Sequence, residues 1–169
     1  GPSTACQGQA GLVFSIPAVT NATTYNWVLP SGASITAGSG TNSITVSISA
    51  SGASGSITVT PSNSCSTGFT SSAFSLTVNP LPGAAGAISG SGSVCPGLSG
   101  VVYSVPSIAN ATSYSWTLPS GASIASGAGT NSITVNFSGA ATSGSISVYG
   151  LNSCGNGTSS VMTVAVQAA

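Results

Sequence analysis

Lysine, arginine, aspartate, glutamate and histidine are all missing from this 169-residue chain. Folded proteins are ordinarily about one-quarter charged, so each absence removes a class of chemistry. Without histidine, lysine or a carboxylate there is no ordinary general acid or base, and nothing to activate a serine or cysteine nucleophile. Without carboxylates and imidazoles, hard cations and mixed zinc sites lose their ligands. Without lysine or arginine there is no electrostatic footprint for nucleic acid or anionic lipid. The Gly-rich stretch around Ser39-Gly40 has no lysine after it and so makes no phosphate loop. Composition therefore speaks against an enzyme, a resident cofactor or metal, and a nucleic-acid partner. It also removes electrostatic repulsion between molecules, which favours self-association.

Long hydrophobic runs are missing too. Serine and threonine interrupt every apolar stretch well short of the 18 or more residues of a membrane helix, so no membrane insertion is expected. No secretory leader is visible, and Gly1-Pro2 has the form left by a cleavage protease. What is present is a hydrophobic fraction of 41%, enough for a packed core, with polarity supplied by Ser, Thr, Asn and Gly.

The chain repeats itself. Cys6, Trp27, Pro30, Thr41 and Cys65 recur 89 positions later as Cys95, Trp116, Pro119, Thr130 and Cys154. Pro30-Ser-Gly-Ala-Ser-Ile35 returns unchanged as Pro119 to Ile124, and Gly40-Thr-Asn-Ser-Ile-Thr-Val46 as Gly129 to Val135. After the second cysteine of each copy one residue is lost in a Gly/Ser/Thr-rich segment, where length changes cost little. The expected organisation is a first repeat over 1–79, a Pro/Gly linker over 80–86 and a second repeat over 87–169. The linker prolines imply an extended connection.

Within each copy the hydrophobic period is two. Leu12, Phe14 and Ile16 alternate with other residues, as do Tyr25, Trp27 and Leu29, then Ile44, Val46 and Ile48, then Ile57 and Val59, then Phe74, Leu76 and Val78. Turn clusters such as Pro30-Ser31-Gly32 separate the runs. About seven short strands per copy predict an all-β chain of two tandem antiparallel β-sandwiches. Trp27 and Trp116 lie on the apolar faces and are expected in the cores.

Several segments match a known pattern: Cys6-Gln-Gly8, Tyr25-Asn-Trp27-Val-Leu-Pro30-Ser-Gly32, Gly40 to Val46 and Asn63-Ser-Cys65. They recur as Cys95-Pro-Gly97, Tyr114-Ser-Trp116-Thr-Leu-Pro119-Ser-Gly121, Gly129 to Val135 and Asn152-Ser-Cys154. The pattern resembles the PKD-like, immunoglobulin-like repeats of large secreted surface proteins of Bacteroidota. The resemblance implies β-sandwich modules strung in tandem in adhesins, stalks and exported cell-surface enzymes. Such modules act as spacers or interaction domains.

Four cysteines allow three pairings. The equal spacing of 59 in both repeats favours one bridge per repeat, Cys6–Cys65 and Cys95–Cys154, in an oxidising, extracellular setting. A strand count opposes this. Five runs, near 11–16, 23–29, 33–36, 43–48 and 56–60, lie between Cys6 and Cys65. An odd number of traverses leaves the sulfurs at opposite ends of a sandwich. The pairing therefore requires 33–36 to be a short edge segment that does not cross the domain.

Two aromatics stand apart from the core alternation. Tyr149 follows Val148 and is expected to point outward where the first repeat has Thr60, and Phe69 lies in the loop after Cys65. Both are candidate ligand contacts. Ladders of Ser and Thr at 43–49 and 55–60 give an uncharged hydrated face. The expected function is a structural spacer, stalk or adhesive segment at a bacterial cell surface, with neighbouring repeats as partners. The alternatives are a module binding neutral polysaccharide and a self-assembling fibre subunit.

Overall fold

The structure, a computed structural model, describes residues 1–167, all of it strand, turn or irregular chain. It divides into two compact units, Gly1–Pro80 and Leu81–Ala169. In the first unit the strands are β1 (Thr4–Cys6), β2 (Leu12–Ser15), β3 (Thr24–Val28), β4 (Ala33–Ala37), β5 (Ser43–Ile48), β6 (Gly55–Ser62) and β7 (Phe74–Asn79). They form two sheets, one ordered β1-β7-β6-β3 and the other β2-β5-β4. Most pairs are antiparallel, but β1 runs parallel to β7, with Cys6 opposite Asn79.

The second unit repeats this plan with β8 (Ser93–Val94), β9 (Val101–Ser104), β10 (Ser113–Thr117), β11 (Ala122–Ser126), β12 (Ser132–Phe137), β13 (Gly144–Asn152), β14 (Gly155–Asn156) and β15 (Ser160–Val166). One sheet is ordered β10-β13-β15-β8, with β14 paired to β13, and the other β11-β12-β9. Again the first short strand is parallel to the last, β8 to β15. The two parallel pairs depart from the antiparallel expectation. β1 and β8 carry too few apolar residues for an alternation to show in the sequence.

The period-two pattern explains the cores. Ile44, Val46 and Ile48 of β5 point inward against Leu12, Phe14, Ile57 and Leu76, while Thr45 and Ser47 face outward. Ile133, Val135, Phe137, Ile146 and Val164 do the same in the second unit. Burying each aliphatic side chain of this kind contributes about 1.5–3 kcal/mol. Trp27 and Trp116 are half-buried against these cores, and each indole N–H donates to a turn carbonyl, of Thr41 and Thr130 respectively, at 2.9 Å. The bond to a backbone carbonyl accounts for the recurring tryptophan; the threonine's own role lies in its hydroxyl.

The turn receiving this bond is itself fixed. Thr41 Oγ1 bridges the carbonyls of Gly38 and Ser43. Gly38 sits at φ 76°, and a Cβ there would strike the carbonyl of Ser43. Only glycine fills this position without strain, and Gly127 occupies the matching place in the second unit at φ 79°.

Residues 81–86, expected as a linker, lie against the second unit. Gly83 N donates to Ala109 O and Ala85 N to Thr158 O, both at 2.9 Å, and Pro82 is buried.

Candidate functional site

The strand count decides the cysteines. β4 is an edge strand, as expected, but it pairs with β5 from Ala33 opposite Ile48 to Ala37 opposite Thr45 and so crosses the sheet. Five full traverses then separate Cys6 from Cys65. Cys6 lies beside Asn79, at the end where β6 begins, and Cys65 follows the far end of β6. Eight residues of β6 span roughly 24 Å, against the ~7 Å between Cα atoms that a disulfide tolerates. The expected Cys6–Cys65 and Cys95–Cys154 bridges are therefore not formed. Cys65 and Cys95 are free, exposed thiols, whereas Cys6 and Cys154 are disulfide-bonded.

Phe69 is 98% exposed, as its loop position led one to expect. Tyr149 is not: it lies on the outer face but is half-buried. Its strand, β13, pairs with β10 along this stretch, where Tyr149 sits opposite Ser115. The two aromatics belong to different units and are not assembled into one platform within either.

One concavity of the first unit was not legible in the sequence. It is an open groove of about 280 Å³ at the Cys65 end, lined by Val19, Asn21, Pro61, Asn63, Ser66 and Gly68 among others. Its floor is backbone held by asparagine. Asn21 stands in the left-handed region at φ 65°, and its carbonyl accepts from Asn63 Nδ2 at 2.8 Å. Asn tolerates this conformation better than most residues because its short polar side chain bonds locally. Asn63 Oδ1 in turn accepts from the backbone N–H of Cys65 and of Ser66. Gly68 N donates to Pro61 O at 2.8 Å and closes the wall. The lining offers hydroxyls, amides and backbone carbonyls to a ligand, without any ionised group. Phe69 follows Gly68 at the rim and is not part of the lining.

A second, smaller cavity of about 120 Å³ lies over Phe14, Trp27, Ile57 and Phe74. Phe14 and Phe74 meet there edge to face at 6.1 Å between ring centroids. In the second unit Tyr103 takes the place of Phe14. It is fully buried, its hydroxyl donates to Ser91 O at 2.9 Å, and burial raises its pKa above the ordinary tyrosine value. Among the described residues no three cysteine, histidine or carboxylate side chains gather to hold a metal.

The sequence model of the PKD-like domain matches this chain twice, over residues 1–78 and 81–164. Among solved structures, the I-band fragment I67-I69 from titin superposes with a TM-score of 0.52 at 13% identity, over 98% of this chain and 62% of that one. An E-to-A variant of the same three titin domains gives 0.50 at 14% identity, with the same coverage. At such identities the likeness concerns the fold, and the chain spans under two-thirds of the titin fragments. No curated protein matches the sequence.

Proposed function

From a chain that belongs to the PKD-like domain family in both of its halves, we infer a non-enzymatic structural role: a spacer, stalk or adhesive segment of an extracellular protein on a bacterial surface. One observation carries the reading. The same sandwich is built twice from matched core positions, Ile44 and Ile133, Val46 and Val135, Ile57 and Ile146, under outer faces of serine and threonine. Such a chain offers its surroundings shape and hydrated hydroxyls, and no ionised side chain with which to move protons.

Binding of neutral polysaccharide is the second reading, favoured by the wholly exposed ring of Phe69, since an exposed aromatic face suits stacking on a sugar. A glycan array separates the two. The spacer reading expects no specific binding; micromolar binding abolished by Phe69→Ala or Tyr149→Ala overturns it. Light scattering across a concentration series tests the fibre alternative, in which particle size grows with concentration. Protease treatment of intact source cells tests the location and is expected to release peptides of this chain.

A further inference from the structure

The two units carry the same groove scaffold, and in the second it is covered by the segment that precedes the repeat. In the second unit the positions matching Val19, Thr20, Asn21, Pro61, Ser66 and Gly68 are Ile108, Ala109, Asn110, Gly150, Gly155 and Gly157, and Thr158 follows Gly157 as Phe69 follows Gly68. The local scaffold is the same. Asn110 is left-handed at φ 61°, Asn152 Nδ2 donates to its carbonyl at 2.9 Å, and Gly157 N donates to Gly150 O at 2.8 Å. Across this scaffold lies the segment Leu81–Gly86. Gly83 N donates to Ala109 O, Ala85 N donates to Thr158 O, and Asn110 Nδ2 reaches Leu81 O at 3.5 Å. Pro82 and Gly83 press so closely on Gly157 that a Cβ there would collide with their carbonyls. Ile108 is 6% exposed beside this segment, whereas its counterpart Val19 is 42% exposed.

We propose that the groove of the first unit is a binding site for an extended, uncharged, proline-containing peptide of the kind Asn-Pro-Leu-Pro-Gly-Ala-Ala-Gly, carried by another copy of the repeat. Thr20 O and Phe69 O accept its two backbone N–H groups, Asn21 Nδ2 donates to its leucine carbonyl, and its second proline covers Val19 and Gly68. The prolines pre-set the extended form, so little conformational freedom is lost on docking. One difference between the grooves bears on the fit. Ser66 stands where the second unit has Gly155, and a Cβ at Gly155 would lie 3.2 Å from Leu81 Cδ2. The free end of a leucine side chain gives the few tenths of an ångström required. The inference rests on the equivalence of the two repeats and not on the spacer reading.

The test is a titration of the isotope-labelled full chain with the end-blocked octapeptide Asn-Pro-Leu-Pro-Gly-Ala-Ala-Gly, followed by amide NMR shifts. A single short peptide is expected to bind in the millimolar range. Saturable shifts are expected at Asn21, Ala22, Asn63, Ser66 and Gly68, with none at Asn110, Asn152, Gly155 and Gly157, whose groove is occupied. Gly68→Ala fills the groove and is expected to weaken binding about 2- to 12-fold, the scale of one lost backbone contact. Asn21→Gly keeps the left-handed turn and removes only the amide donor, so it should weaken binding by a smaller factor. Both variants are checked for retained shift dispersion. No shifts at about 10 mM peptide, equal shifts in both grooves, an equal response to a Gly-Ser octapeptide, or titrations unchanged in both folded variants would each overturn the proposal.

Discussion

Single atoms decide much in a chain whose surface carries no ionised side chain. Cys65 and Cys95 are exposed thiols, so the native protein without reductant should take up a maleimide at two positions. Cys65→Ser and Cys95→Ser should each remove one adduct by mass spectrometry; unreactive native protein contradicts the assignment. Tyr103 contributes a loss of stability in alkali. Burial raises its pKa, so above the ordinary tyrosine value of about 10 the unfolded chain gives up this proton while the folded chain keeps it. The unfolded state then binds fewer protons, and stability is present in full below that pH and lost as pH rises through the raised value. Tyr103→Phe, which copies Phe14 of the first unit, should reduce the loss of thermal stability above pH ~10.

Strands and turns add the next layer. Each Trp-to-Thr bond ties β3 or β10 to the turn of the opposite sheet. Trp27→Phe keeps most of the apolar area and leaves the Thr41 carbonyl without this donor, which should cost about 1 kcal/mol in chemical denaturation. Ile44→Ala and Ile133→Ala empty fully buried positions on β5 and β12, and each should cost about 2–5 kcal/mol. At this scale the sequence was informative. The runs at 43–48 and 56–60 became β5 and β6 with boundaries shifted by two residues or fewer, because alternation reports burial of one face directly. β1, β8 and β14 escaped notice, since two or three residues with at most two apolar side chains leave no period to detect. The parity of five strands between Cys6 and Cys65 was legible too. It argued correctly against the bridges, while the equal cysteine spacing reflected only the duplication of the domain.

Over the whole molecule, stability should be indifferent to the variables that govern most proteins. Carboxylates and histidines are absent, so the melting temperature should be nearly flat from about pH 4 to pH 7. Moderate NaCl should likewise move it little, since no side-chain ion pairs exist to be screened. A shift of many degrees in either calorimetric series would contradict this account. Sequence alone settled the all-β class, the duplication and the absence of acid–base side chains, because alternation, repetition and composition are local or additive properties of a chain. Only the folded structure decided which cysteines stay free, that Tyr149 is half-covered, and that the groove scaffold of the second unit is covered by the segment preceding its repeat. Each of these depends on which ends of which strands come together. Residues 21 and 68, or 109 and 83, become neighbours through sheet pairing and loop closure, and no periodicity in the sequence records that meeting.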